Sequence, residues 1–261
     1  MSSNDLRLER DGEVATLVID REQSRNAIRL EMYRALPDLL KEIDADRSIA
    51  VLVLRGAGTK AFASGADISE FQAVRAEAES ARHYNERVAA AERALEGLSK
   101  PTIAMIHGYC IGGGLGLALA CDMRFSDDRG RFAITPAKLG LVYSLESTRR
   151  LVDLVGPSRA KWILMSGEQL DAPAAARLGL VDEVTGVDEV EALTYDFARL
   201  VTTRAQFSVR ATKEIVRRIC AGQTEDDEAT TQLRNSSFDT DDYAEGVRAF
   251  LAKRRPDFTW R

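Results

Sequence analysis

The stretch from Lys100 to Asp122, KPTIAMIHGYCIGGGLGLALACD, constrains this chain more than any other. Pro101 to Ile106 is apolar and partly β-branched, which suits a buried strand. His107, Gly108 and Tyr109 break that run, and Gly112, Gly113 and Gly114 open an Ala/Leu-rich helical stretch. Three adjacent glycines at a helix start cost conformational entropy. In return they allow close backbone approach and leave amides free. The first N–H groups of a helix have no internal partner, and the helix dipole adds partial positive charge there. The turn therefore suits an anion, or an oxygen on which negative charge develops. A dinucleotide or P-loop reading would need a spaced G-x-G-x-x-G with a later acid, or Gly-Lys-Ser/Thr, and neither is present. Taken alone, the turn also fits tight strand–helix packing.

A second stretch, Lys60 to Glu70, reads KAFASGADISE. Val51 to Leu54 before it has a short buried-strand pattern. Ser64-Gly65-Ala66 is a turn of small residues, and Asp67 to Glu70 has the D-x-x-E spacing of a capping box. Two strand-to-helix turns, each offering one amide, would make a two-donor oxyanion hole.

The remaining pattern is α/β. Leu6 to Glu9 and Val14 to Asp20 read as strands joined by Asp11-Gly12, a hairpin signal. Leu30 to Ile43 has helical spacing, with Pro37 inside it. Ser69 to Leu98 is charged and alanine-rich and predicts one or two surface helices. Met123 to Ser126, Arg131 to Ile134 and Leu180 to Val184 read as strands. Thr135 to Ser144 reads as a loop, and Ser144 as the cap of a helix from Leu145. Gly156-Pro157 ends that helix and starts the next. Leu170 to Leu178 predicts a short helix, and Val187 to Arg255 is helical by pattern. Strands alternating with helices, then a helical tail, give an α/β core and a helical C-terminal part.

Composition excludes several classes. The chain of 261 residues has a net charge of -5, which predicts no dedicated nucleic-acid or anionic-membrane surface. In the segment Val74 to Glu96, Arg75, Arg82, Arg87 and Arg93 are interleaved with acids, as on a solvated helix face. Cys110, Cys121 and Cys220 lack metal-ligand spacing and read as reduced thiols. His83 and His107 are too few for a histidine metal cluster or a Ser-His-Asp triad. The segment MSSNDLRLER has no signal pattern and no apolar run would span a bilayer, so a cytoplasmic protein without membrane contact is expected.

Taken together, these motifs resemble the crotonase, or enoyl-CoA hydratase/isomerase, superfamily. The resemblance rests on Ser64-Gly65-Ala66-Asp67 and Gly112-Gly113-Gly114, with Asn26-Ala27 upstream and Cys121-Asp122 downstream. It continues through Leu139-Gly140, Gly179-Leu180-Val181 and Glu245-Gly246-Val247-Arg248-Ala249-Phe250, and so covers nearly the whole chain. It implies a spiral of ββα units over residues 1–187 and a helical oligomerisation subdomain over 188–261. It also implies a homotrimer or a dimer of trimers, and an acyl-CoA thioester substrate. The coenzyme A of that substrate would be the only cofactor-like group, and no metal is implied.

In the resembled family two backbone amides hold the thioester oxygen as an enolate forms. By position these belong to Ala66 and Gly113. Arg25, Ala27, Ser64, Ala66, Asp67, Ile68 and Gly113 would line the CoA channel, with Phe250 and Lys253 reaching a neighbouring subunit's CoA. Hydratases of the family use two glutamates, and the matching positions here are Gly116 and Ala137. Neither side chain can transfer a proton.

Tyr143 and Glu146 are the nearest candidate replacements in sequence. The string Thr135-Pro136, Leu139-Gly140, Tyr143 resembles methylmalonyl-CoA decarboxylases, whose matching tyrosine is in the active site. Those enzymes carry a histidine where this chain has Ala66. Glu146, if buried, would rise toward neutrality and act as acid or base; otherwise it stabilises a helix start. A non-catalytic acyl-CoA-binding member is a further alternative. Asp67 reads as an N-cap, Asp122 as a structural acceptor, His107 as a packed or exposed histidine, and Arg149 and Arg150 as loop supports or partners of a substrate carboxylate.

Overall fold

A computed structural model describes residues 5–70 and 78–259. The predicted hairpin forms: β1 (Leu6–Asp11) pairs antiparallel with β2 (Val14–Ile19), and Gly12 takes φ 57°. Parallel neighbours then extend the sheet through β3 (Val51–Gly56), β5 (Thr102–Ile106), β7 (Met123–Asp127) and β10 (Glu183–Thr185). β2, β3 and β5 are apolar almost throughout because both of their faces are covered. Leu52 and Leu54 enter one core cluster, while Val51 and Val53 enter the other, as the two-residue period of a strand requires.

A second, four-stranded sheet is built from β4 (Ala61–Ala63), β6 (Tyr109–Ile111), β8 (Arg131–Ala133) and β9 (Leu170–Asp171). The chain alternates between the sheets. β3 is followed by β4 and α2 (Ala78–Glu96), and β5 by β6 and α3 (Gly113–Ala120). β7 is followed by β8 and α4 (Leu145–Ser166). Each turn of the spiral is thus a long strand, a short strand and a helix, which is the expected ββα architecture. The short strands correct the sequence reading. The Ser64 turn leaves β4 and not the strand at Val51–Leu54, and β6 forms within the expected break after Ile106. Three residues are too few to show a strand period.

Helix α1 (Leu30–Ala45) accommodates Pro37 and packs on the larger core with Tyr33, Leu36 and Leu40 buried. Ser144 caps α4 by accepting from Ser147 N, and Gly156 at φ 77°, ψ 163° breaks α4 where expected. α5 (Ala172–Leu178) follows β9. Past β10, α6 (Val190–Thr202) covers the far face of the large sheet. Phe197 meets Phe125 edge-on at 5.6 Å, and Tyr195 shares a 2.8 Å hydrogen bond with Thr16. The expected division at residue 188 therefore falls just before a helix that packs on the sheet. α7 (Gln206–Cys220), α8 (Glu228–Ser236) and α9 (Asp241–Leu251) complete the chain and leave Val216, Ile219, Phe250 and Leu251 exposed. Among the described residues no helix is long and apolar enough to cross a membrane, and no cluster of His, Cys, Asp and Glu suits a metal. Val74 and Arg75, part of the expected arginine-bearing face, lie outside the described residues.

Candidate active site

β4 and β6 are parallel neighbours, with Ala61 opposite Tyr109 and Ala63 opposite Cys110. Parallel strands end at the same edge, so their exit turns lie side by side. Gly65 and Gly112 take φ 109° and 54°, a region costly for any residue with a Cβ. A Cβ on Gly65 would stand 3.2 Å from Ile111 O, and one on Gly114 would sit 2.6 Å from Ala63 O. The glycines thus bring the two backbones together.

A third segment closes on them. Ile28 bridges Ala66 in parallel fashion, its N–H donating to Gly65 O at 2.8 Å while Asp67 N–H donates to Ile28 O at 2.9 Å. This bridge uses the groups on either side of Ala66 and leaves the Ala66 amide outside it. Gly113 is the first residue of α3, so its amide has no intrahelical acceptor. A Cβ on Gly113 would stand 3.8 Å from Ala66 N and overlap the Tyr33 hydroxyl. Gly113 thus lies beside the Ala66 amide, and the Tyr33 hydroxyl leaves no room for a side chain at position 113.

The predicted CoA-lining residues fall mostly on one ridge. Asn26, at φ 56°, is buried and donates to Ala57 O at 3.0 Å and Ala61 O at 2.7 Å, tying its loop to β4. Ser64 N–H donates to Arg25 O at 3.0 Å, and the Arg25 guanidinium lies 5.4 Å from the Tyr109 ring centre. Ala27 is buried beside them, and Ile68 projects with 72% of its surface exposed. Asp67 accepts from Ser69 N and Oγ and pairs with Arg21 at 2.8 Å. Burial opposes its charge, but the Ser69 and Arg21 hydrogen bonds prevail and hold its pKa below the usual carboxylate value. The expected Asp67–Glu70 capping box does not form, because Glu70 Oε2 instead accepts from Leu30 N at 3.0 Å and starts α1. Phe250 is exposed on α9 and Lys253 follows it; neither is joined to the ridge by a hydrogen bond or ion pair among the described residues.

Gly116 lies one turn after Gly113, on the same face of α3. A Cβ there would run into the Glu92 carboxylate and stand 3.1 Å from the Tyr143 hydroxyl. Glu92 comes from α2 and is only 2% exposed. Its Oε2 accepts from Ser147 Oγ at 2.6 Å and from Arg150 at 2.7 Å. Its Oε1 accepts no hydrogen bond from the described residues. Arg150 also pairs with Glu96 at 2.7 Å. Burial pushes the Glu92 carboxyl above the usual glutamate value, with Ser147 and Arg150 pulling part of the way back. The Tyr143 hydroxyl is buried without a hydrogen-bond partner among the described residues. Burial, and then the Glu92 charge, drives its pKa far up.

Other candidates sit elsewhere. Glu146 makes two 3.0 Å bonds to Arg93, with 41% of its side chain exposed. The burial that an acid–base role for Glu146 requires is absent. Ala137 is exposed in the short turn Pro136–Leu139. His107 is buried against Asp127 at 2.9 Å and ties β5 to β7. Asp122 accepts from Thr102 N and Oγ1 and pairs with Lys213 at 2.8 Å. Arg149 pairs with Glu96 and Asp153. Glu92 is the residue that sequence reasoning missed. Its signal was its place on the apolar stripe Tyr84, Val88, Ala91, Leu95, where an acid on a solvated helix has no reason to be.

The family comparison agrees with this geometry. Residues 9–261 match the model of the enoyl-CoA hydratase/isomerase family. A short-chain-enoyl-CoA hydratase of Clostridium acetobutylicum is 30% identical over 98% of this chain and 97% of its own length. A crotonyl-CoA hydratase of Syntrophomonas wolfei is 31% identical over 99% of both chains. An enoyl-CoA hydratase/isomerase family protein from Hyphomonas neptunium superposes with a TM-score of 0.96 at 38% identity, covering 98% of each chain. With this match over nearly its full length, and with the paired amides at the ends of β4 and β6, the chain belongs to the enoyl-CoA hydratase/isomerase family, a family of enzymes.

Proposed function

We propose that this enzyme binds an acyl-CoA thioester and stabilises its enolate at the amides of Ala66 and Gly113. One observation carries the reading: two adjacent parallel strands end in turns that bring Gly113 beside the Ala66 amide, a Cβ on Gly113 falling 3.8 Å from Ala66 N, with neither amide used by the strand bridge or the helix. Such donors act where negative charge develops on the carbonyl oxygen, and loss of one costs about 10²–10³-fold in rate. The ridge of Arg25, Ala27, Ser64, Asp67 and Ile68 would carry the CoA. The positions matching the hydratase glutamates hold Gly116 and Ala137, which argues against a two-glutamate addition of water. Exposed apolar side chains on α7 and α9 support a trimer or a dimer of trimers. Phe250 and Lys253 would then meet a neighbour's CoA.

The second reading is decarboxylation of a methylmalonyl-CoA-like thioester, favoured by the buried Tyr143 hydroxyl without a partner. The Glu92 carboxylate beside that hydroxyl would repel a substrate carboxylate, so removal of a proton is the better reading. The test is incubation with crotonyl-CoA, methylmalonyl-CoA and a 3-enoyl-CoA, with products identified by mass spectrometry. Gly113→Pro, which removes the amide, should abolish turnover of whichever thioester reacts. A folded, oligomeric Gly113→Pro enzyme with undiminished turnover would refute the oxyanion assignment, and binding without turnover by the parent would make it a non-catalytic acyl-CoA-binding member.

A further inference from the structure

We propose that Glu92, delivered from α2 into the space beside Gly116, is the group that moves the substrate proton, with Ser147 and Arg150 as its positioning residues. This rests on the thioester reading above. Three observations carry it. Gly113 and Gly116 share one face of α3, so the oxyanion donor and the Glu92 carboxylate lie along the same wall of the site. One carboxylate oxygen is anchored by Ser147 and Arg150 at 2.6 and 2.7 Å, and the other is left without a hydrogen bond among the described residues. Gly116 is the residue that makes room, because any Cβ there would collide with that carboxylate.

The chemistry balances without a co-reactant. The Glu92 carboxylate takes a proton from the carbon next to the thioester carbonyl. The C–H electron pair becomes the carbon–carbon π bond of the enolate, and the carbonyl π pair moves to the oxygen held by the Ala66 and Gly113 amides. The resulting carboxylic acid returns its proton to the same carbon. Where the substrate has a double bond one carbon further out, it returns it to the far end of the dienolate, and the double bond moves into conjugation. Nothing is oxidised or reduced.

A buried carboxyl with a raised pKa is suited to both halves of this cycle. The groups facing it are Arg150 and Glu146 from α4, Tyr143 before that helix with Cys110 of β6 beside it, and Glu96 one turn on along α2, which shares Arg150.

The experiment follows two reactions of the full-length enzyme: deuterium uptake from D₂O next to the carbonyl of butyryl-CoA, and conversion of a 3-enoyl-CoA to the conjugated isomer. Glu92→Gln keeps the shape and can still meet Ser147, and should slow both reactions by about 10²–10⁴-fold while butyryl-CoA binding holds. Glu92→Asp, which keeps the charge but withdraws the carboxyl, should fall between. Ser147→Ala removes a hydrogen bond to the charged form and should move the acidic limb of kcat/KM to higher pH, a shift a purely structural residue would not produce. Full activity in Glu92→Gln alongside an inactive Gly113→Pro would overturn the role of Glu92 and leave the oxyanion reading intact. A parent enzyme that binds acyl-CoA but catalyses neither reaction would also overturn the inference. One that binds no acyl-CoA would overturn the thioester reading with it.

Discussion

Arg150 is the residue whose loss separates two kinds of stability loss. It and Glu92 are each 3–4% exposed in their side chains and lie 2.7 Å apart. The two ends of the pair are not equivalent. Without Glu92, Arg150 still has Glu96 at 2.7 Å, at a carboxylate that reaches solvent. Without Arg150, Glu92 is left buried with only the Ser147 hydroxyl. Removal of one partner from a buried pair costs about 3–5 kcal/mol when the other charge is orphaned. Arg150→Met should therefore destabilise by that amount. At roughly 2–4 °C per kcal/mol for a chain of this size, this lowers the melting temperature by about 10 °C. Glu92→Gln orphans nothing and should cost about 1–2 kcal/mol. The double variant should be more stable than Arg150→Met alone, a coupling that a double-mutant cycle reads directly.

The pH dependence supplies a sign. In Arg150→Met the folded-state pKa of Glu92 rises further above its unfolded value near 4.3. Between those two values the native state holds the extra proton, so stability falls as pH rises through that window. The deficit of Arg150→Met relative to the parent should accordingly shrink as pH falls from 8 to 5, measured by thermal or denaturant unfolding at fixed protein concentration. A deficit that is constant with pH, or Glu92→Gln costing more than Arg150→Met, would refute the reasoning.

Three further outcomes are expected. Asn26→Ala strips the bonds to Ala57 O, Ala61 O and Arg21 N that hold the loop on β4, and should cost about 2–4 kcal/mol in denaturant unfolding and raise KM more than it lowers kcat. Glu146→Gln breaks an ion pair that reaches solvent, so stability should change by about 0–1 kcal/mol and turnover should hold; a loss of turnover above about 10²-fold would restore Glu146 to the mechanism. Burial opposes ionisation of Asp127, but bonds from His107, Arg129 and Gly108 N outweigh it and hold its pKa low. Its contribution to stability is therefore present above the unfolded aspartate value near 3.9 and is lost as pH falls toward the lower folded value; Asp127→Asn should flatten that part of the acid-unfolding curve.

Much of the backbone frame of the candidate site was legible before any fold was seen. The glycines at 112–114 and the small residues at 64–66 mark turns where backbones approach closely and amides stay free, and those are local properties. The hairpin at Gly12, the Ser144 cap and the break at Gly156 were legible for the same reason. The long strands β2, β3 and β5 announced themselves as apolar runs because both of their faces are covered. β4 and β6 did not, because three residues carry no period, yet their parallel pairing is what sets the two turns side by side.

The sequence by itself determined which backbone atoms were available, since glycine, capping and strand signals act over a few residues. It also determined that Gly116 and Ala137 carry no side chain able to transfer a proton. Only the tertiary structure decided what stands beside Gly116. Glu92 lies 24 residues before Gly116 on a helix whose charged pattern read as solvated, and its neighbours Ser147 and Arg150 lie on a third element, α4. A buried carboxylate needs donors from wherever the chain can bring them, and that need is satisfied across elements rather than along one.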